Sequence, residues 1–453
     1  MPFDFATADG HALAQAYATG ETDPVQALEA ALACMPAAEH AFIVLTTSRA
    51  RREAEAARAR WQAGAPLSAL DGVPIAWKDL FDMAGTVTTA GAAVRRSAAV
   101  PEEDAALVRT LSQAGMVNIG KTNLSELAYS GLGLNPHFGT PVNPAFDGAA
   151  RAPGGSSSGS AIAVAAGVVP IAMGTDTAGS IRIPAAFNGL VGYRSSRRRY
   201  GFAGVFGLAR SLDALGPLTR SVRDAVTIDQ LLTGTLTKRR PADLRDLHLR
   251  VDEPTLNDPR VEPAVRDNLE RCLQRLSAAG ARIDRRPVQA WAATLDCIAQ
   301  QGWLGAAEAF ASHERLLDSA DAARLDPRVR QRLESARAIP ASKQLRLYEQ
   351  RAQLQAQLHH ELDGALLLSP SVAHVAPLLA PLQADDELFT RSNLATLRLT
   401  MAGSLLDMPG VTLPSGANAA GLPTGLLLAG CSGTDSAVLR AALAVESLLA
   451  QHP

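Results

Sequence analysis

The run from Pro153 to Pro184, PGGSSSGSAIAVAAGVVPIAMGTDTAGSIRIP, decides how this chain is read. It holds two small-residue loops on either side of an apolar segment. The first, Gly154-Gly155-Ser156-Ser157-Ser158-Gly159-Ser160, lets backbone approach backbone or ligand closely and offers hydroxyls at short reach. Ala161 to Gly167 predicts a short helix, and Pro170 to Met173 a buried strand. The second loop, Gly174-Thr175-Asp176-Thr177-Ala178-Gly179-Ser180, runs into Ile181-Arg182-Ile183-Pro184. Consecutive small residues there can aim several N–H groups at one point, the geometry that stabilises an oxyanion. Ser180 closes this loop and is the first candidate nucleophile.

The paired loops GGSSSGS and GTDTAGSIRIPA resemble the signature of the amidase signature family, whose catalytic group is Ser–cis-Ser–Lys. The resemblance implies Ser180 as nucleophile, Ser156 as the bridging serine after a cis Gly155–Ser156 peptide, and Lys78 as base. Lys78 stands in Gly72-Val73-Pro74-Ile75-Ala76-Trp77-Lys78-Asp79. The likeness continues through Lys121-Thr122-Asn123, Pro136 to Pro144 and Ser211-Leu212-Asp213 to Val222, and returns at Leu413-Pro414 and Gly421-Leu422-Pro423. It further implies oxyanion donors at the N–H groups of Thr177, Ala178, Gly179 and Ser180. Supporting or substrate-binding positions would be Tyr129, Gly131, Ser157, Thr175, Asp176 and Arg182. Asp176 and Arg182 are expected to hold the loop by hydrogen bonds. Two departures stand out: Ala178 and Ser158 replace glycines usual in the family, so neither position should require φ > 0. Free lysine titrates near ~10.4, so a neutral Lys78 at pH 7 needs burial to desolvate its ammonium. The apolar flanks Ile75, Ala76, Trp77 and Leu80 suit such a pocket.

The whole chain is compatible with this reading. Its 453 residues are 47% hydrophobic and 19% charged, enough for a large core and against disorder. A net charge of −2 gives no nucleic-acid footprint. Cys34, Cys272, Cys297 and Cys431 lie far apart and read as reduced thiols of a cytoplasmic protein. Met1-Pro2-Phe3-Asp4 starts no signal peptide, and no apolar run reaches spanning length, so no membrane partner is expected. No metal or cofactor is expected either, because His137 has no second ligand at metal spacing. The fold class is α/β, a mixed, largely parallel central sheet with helices on both faces. We expect one domain over 1–453, with a helical N-terminal wrap (1–65), the signature core (66–235) and a helical elaboration near the substrate site (290–362).

Along the chain, helices are predicted over Val25 to Cys34, Ser48 to Ala63, Glu102 to Gln113 and Val222 to Leu232, and strands over Val73 to Trp77 and Met116 to Ile119. Leu124 to Gly139 mixes turn residues and aromatics in the manner of a pocket wall. Arg194 to Arg199 reads as a solvated basic run. Further on, Leu247 to Val251, Val261 to Ala279 and Ala281 to Ile283 read as strand, helix, strand. Ala365 to Leu368, Val411 to Leu413 and Leu426 to Leu428 are of strand length, and Ser436 to Leu449 is the closing helix.

Two motifs compete with the signature. Gly115 to Thr122 satisfies the P-loop pattern, but a helix precedes it and its middle is strand-like, so it lacks the required strand–loop–helix context. Gly155 to Gly159 fits GxSxG with Ser157 as nucleophile, yet no strand leads into it and no histidine sits in a partner motif. Within the family the choice lies between a stand-alone amidase for a small-molecule amide and the glutaminase subunit of a tRNA-dependent amidotransferase. Leu80-Phe81 follows Lys78-Asp79, where the subunit usually has asparagine, so the stand-alone reading is preferred. A homodimer is left open.

Overall fold

The computed structural model describes residues 3–235 and 240–451. Its centre is an eleven-stranded mixed sheet. In chain order the strands are β1 (Phe42–Leu45), β2 (Pro74–Lys78), β3 (Val117–Thr122), β4 (Ile171–Asp176), β5 (Val191–Arg194), β6 (Ala214–Thr219), β7 (His248–Val251), β8 (Arg282–Arg285), β9 (Leu366–Pro370), β10 (Gly410–Ala417) and β11 (Pro423–Ala429). Across the sheet they run β1-β3-β2-β4-β6-β5-β10-β11-β9-β7-β8. β3, β2 and β4 are mutually parallel, as are β9, β7 and β8, whereas the strands between β4 and β9 pair antiparallel.

Helices cover both faces, and the pleat of the strands explains why. Ile75 and Trp77 of β2 join a core with Leu107 and Leu111 of the helix Ala106–Gln113 and Val222 of the helix Val222–Thr233. Ala76, pointing the other way, packs with Ala161 to Val164 of the helix Ser158–Ala165 and with Leu28. Buried on both sides, these strands must be nearly all apolar, as Val73 to Trp77 is. Leu427 and Ala429 of β11 face the helices 289–301 and 341–362 through Trp291, Leu347 and Leu354.

Local signals set most element ends. Asp23 caps the helix Pro24–Ala33, accepting from the Val25 and Gln26 N–H groups, with proline in the first turn. Ser221 accepts from the Asp224 N–H as the predicted cap. Two expectations shift. The N-terminal wrap also supplies the edge strand β1, which pairs with β3. The helix predicted from Glu102 begins at Ala106. The second loop leads directly into a short helix, Arg182–Phe187.

The basic run is corrected more sharply. Arg194 is completely buried, and Ser195 and Ser196 are buried beside it. Its guanidinium donates to the carbonyls of Asp176, Leu212 and Met408. Arg199 is tied to Asp229. A charge run read locally looks solvated, but acceptors from three other segments of the chain, at Asp176, Leu212 and Met408, draw its first member inside.

The P-loop match is also settled by context. Gly120, Lys121 and Thr122 lie within β3, and Lys121 is buried against Asp79 at 2.6 Å. No phosphate-cradling loop exists there. Among the described residues no helix is long and apolar enough to cross a membrane, and all four cysteines are free.

Candidate active site

Strand direction assembles the site. Lys78, Thr122 and Asp176 are the last residues of the parallel β2, β3 and β4, so they open on one edge of the sheet. Carboxyl ends of parallel strands are where α/β folds bind ligands. Lys78 Nζ lies 2.7 Å from Ser156 Oγ and 2.8 Å from Thr175 Oγ1. The lysine is fully buried. Burial pushes its amine down to about 7, against the carboxylates of Asp176 and Asp213, which favour the charged form. A neutral amine there can give one N–H to Thr175 and still hold a lone pair toward the Ser156 hydroxyl.

The first loop is clamped from several sides. The Gly155–Ser156 peptide is cis. The Gly154 and Gly155 N–H groups donate to the carbonyls of Leu132 (3.1 Å) and Gly131 (2.8 Å). A Cβ on Gly155 would stand 2.5 Å from the Gly133 nitrogen, so the close backbone approach expected of this loop does require glycine. Gly131 in turn gives its N–H to Asn393 Oδ1 at 2.8 Å. The Ser157 N–H reaches the Ser180 carbonyl at 3.3 Å and joins the two loops. The Ser157 hydroxyl donates to the Thr175 carbonyl, also at 3.3 Å. No strand precedes Gly155, only an isolated bridge at Arg151, so the segment is not a strand-to-helix nucleophile elbow. Ser158 opens the helix with φ outside the left-handed region, so its replacement of glycine is unstrained.

Asp176 organises the second loop. Its carboxylate accepts from the N–H groups of Gly179 (2.8 Å) and Ile181 (3.2 Å) and from Arg182 Nε (3.0 Å) and Nη2 (2.9 Å). The Arg182 and Arg194 guanidinium groups hold it well below the usual carboxylate range despite burial. Arg182 also donates to the Thr400 carbonyl and Ser404 Oγ. One expected oxyanion donor is therefore corrected: the Gly179 N–H is occupied by Asp176. The N–H groups of Thr177, Ala178 and Ser180 have no acceptor among the described residues. Ala178 does not adopt φ > 0, so it fits where glycine is usual, whereas Gly179, at φ +134°, must remain glycine. Thr177 Oγ1 donates to Asp213 Oδ1 at 2.6 Å, and burial pushes the Asp213 carboxyl up to about 6. Ser180 itself is 4% exposed.

Tyr129 lines a cavity of about 740 Å³ with Ser130, Arg332, Phe389 and Asn393. The Arg332 guanidinium lies 4.4 Å from the centre of the Tyr129 ring and donates to its carbonyl. Ala178 and Trp303 both pack against the buried cluster of Ile183, Leu397 and Met401. His137 is a bonded loop residue, 3.0 Å from Glu126. Among the described residues no group of three His, Cys, Asp or Glu side chains converges as a metal site would. Sequence reading found Thr175 but missed Asn393, Arg332 and the site contact of Asp213. Asn393 and Arg332 belong to helices without local signature, and Asp213 was visible only as part of a longer resemblance.

The Amidase family profile matches residues 25–439. The chain is 34% identical to 2-amino-5-chloromuconic acid deaminase of Comamonas testosteroni, over 89% of this chain and 87% of that protein. It is 33% identical to a glutamyl-tRNA(Gln) amidotransferase subunit of Anaeromyxobacter sp. (strain K), over 94% of this chain and 93% of that protein. A crystal structure described as an amidase superposes with a TM-score of 0.86 at 33% identity, covering 97% of this chain and 99% of that one. On the profile match and these relatives, the chain belongs to the amidase family.

Proposed function

We propose that this amidase hydrolyses a small carboxylic amide to carboxylate and ammonia or amine through an acyl-enzyme on Ser180. Ser180 Oγ attacks the amide carbonyl while its proton passes to Ser156, whose own proton moves to the Lys78 amine. The N–H groups of Thr177, Ala178 and Ser180 receive the oxyanion. Lys78, now an ammonium, returns a proton through Ser156 to the leaving nitrogen. Water then enters by the same relay, its proton going to Lys78 and its hydroxyl to the acyl carbon. The acyl carbon–Ser180 Oγ bond breaks, Ser180 takes the proton back from Lys78 through Ser156, and the acid is freed with Ser180 and the neutral amine restored. The observation that carries this reading is the buried Lys78 amine 2.7 Å from Ser156 Oγ. Its value of about 7 lets it act as a base near neutrality.

Helices between 290 and 362 would cover the site and set substrate choice, a role supported by Arg332 of the helix 327–334 stacked on Tyr129. Similarity to a subunit of a tRNA-dependent amidotransferase supports a second reading, in which the ammonia serves a partner enzyme. The test is ammonia release from a panel of small primary amides, glutamine included, by wild type and Ser180→Ala. Turnover of several amides that vanishes in the variant supports the first reading, and activity on glutamine alone supports the second. Equal rates in both proteins would remove Ser180 as nucleophile.

A further inference from the structure

Beside the segment that connects β5 to β6, and lined also by Ser312 of the helix 305–317, lies a second cavity of about 840 Å³. Arg197, Arg198 and Arg210 stand in its wall against a single carboxylate, Asp213. Elsewhere the segment pairs its arginines, Arg194 with Asp407 and Arg199 with Asp229. The side chains of Arg197, Arg198 and Arg210 have no acidic or hydrogen-bonding partner among the described residues, and Arg197 Nε is buried with its N–H unmet. Guanidinium groups that line a cavity without a counter-charge are best matched by an oxyanion, which their planar forks can bind through paired N–H groups.

Asp213 does not supply that partner. Its Oδ1 takes the Thr177 hydroxyl at 2.6 Å, and its Oδ2 takes the N–H groups of Leu208 (2.9 Å) and Ala209 (3.0 Å). By holding Thr177, it sets this cavity against the loop that ends in Ser180. The remaining wall includes the carbon faces of Phe202, Val205 and Phe206. Cationic groups beside an apolar wall suit an organic acid better than a bare inorganic anion.

We propose that this cavity is a carboxylate subsite of the substrate site, so that the preferred substrates are amides of organic acids that retain a free carboxylate. Arg197 and Arg210 bind that carboxylate while the amide carbonyl lies at Ser180. The inference rests on the amidase reading of Ser180, and its test separates the two. Ammonia release is compared for monoamides of dicarboxylic acids and for neutral amides of equal length, in wild type and in Arg197→Gln/Arg210→Gln. The double variant should raise KM for the acidic amides roughly tenfold or more, leave kcat within about twofold, and leave neutral amides unchanged. Lysine at both positions should restore part of the loss. Succinate, titrated directly by calorimetry, should bind wild type more tightly than the double variant by a similar factor, and less tightly as salt rises. If the double variant fails to fold, Arg210→Gln, at an exposed position, carries the comparison. Equal effects on acidic and neutral amides, succinate affinity unchanged by the variant, or inorganic phosphate binding more tightly than succinate would each overturn the subsite. Ser180-dependent turnover of neutral amides alone would also refute it while leaving the amidase reading intact. If no amide is turned over, the amidase reading fails and the succinate titration still decides the cavity.

Discussion

Lys78→Met removes the one basic nitrogen of the site while keeping most of its volume. In wild type, burial lowers the Lys78 amine from 10.5 to about 7. At 1.36 kcal/mol per pH unit, that shift corresponds to about 5 kcal/mol of penalty on the charged form in the folded protein. It also means that roughly half of the molecules carry a neutral amine at pH 7, against about 3 in 10,000 for an unshifted lysine. The folded-state value lies below the unfolded one, so unfolding takes up a proton between about pH 7 and 10.5. This group's contribution to stability therefore rises with pH across that window, and its penalty is complete below pH 7. Two measurements follow. In wild type, kcat/KM should climb with pH along one ionisation near 7; in Lys78→Met that limb and at least ~10³ of the rate should disappear. By denaturant unfolding, Lys78→Met should gain stability relative to wild type most strongly at pH 6.5, and the gain should shrink by several kcal/mol, at most about 5, on going to pH 10. An unchanged pH limb in the variant, or a stability difference that does not move with pH, would refute the neutral buried base.

Ser180→Ala should abolish turnover with unfolding midpoints unchanged, and Ser156→Ala should be less damaging because a water can take part of the relay; kcat measured on purified, folded variants checks both. Gly179→Ala should destabilise by about 3 kcal/mol or more by denaturant unfolding, since φ is +134° and the new Cβ would stand 2.2 Å from Thr400 Oγ1. Arg194→Leu should cost about 3–5 kcal/mol by the same assay, because it strips a buried cation from Asp176 and three carbonyls; a truly solvated arginine would change stability by under ~0.5 kcal/mol. Dialysis against a chelator should leave the rate unchanged, and a metal-dependent loss would count against the Ser–Ser–Lys chemistry.

What the sequence determined by itself lies within short windows. Two small-residue loops around a small helix and an apolar strand mark the site, and the second of them nominates Ser180. The alternation of apolar runs with amphipathic helices names the α/β class, and the caps at Asp23 and Ser221 are legible because their partners lie within a turn. The resemblance added Ser156 as the bridging serine and Lys78, whose roles no local property marks. Tertiary structure alone decided what depends on distant neighbours. Parallel β2 and β4 bring Lys78 to Thr175 and to Ser156 across 97 and 78 residues, and only the resulting burial makes the amine a base near neutrality. Asp176 claims the Gly179 N–H because Arg182 and Arg194 fix its carboxylate inside the loop, and this subtracts one donor that the motif had offered. Asn393 reaches Gly131 over 262 residues, and Arg194 is buried because its acceptors arrive from other loops. Hydrogen-bond partners and dielectric environment are properties of the folded neighbourhood, so a motif can nominate a side chain while only packing settles its charge, its donors and what it touches.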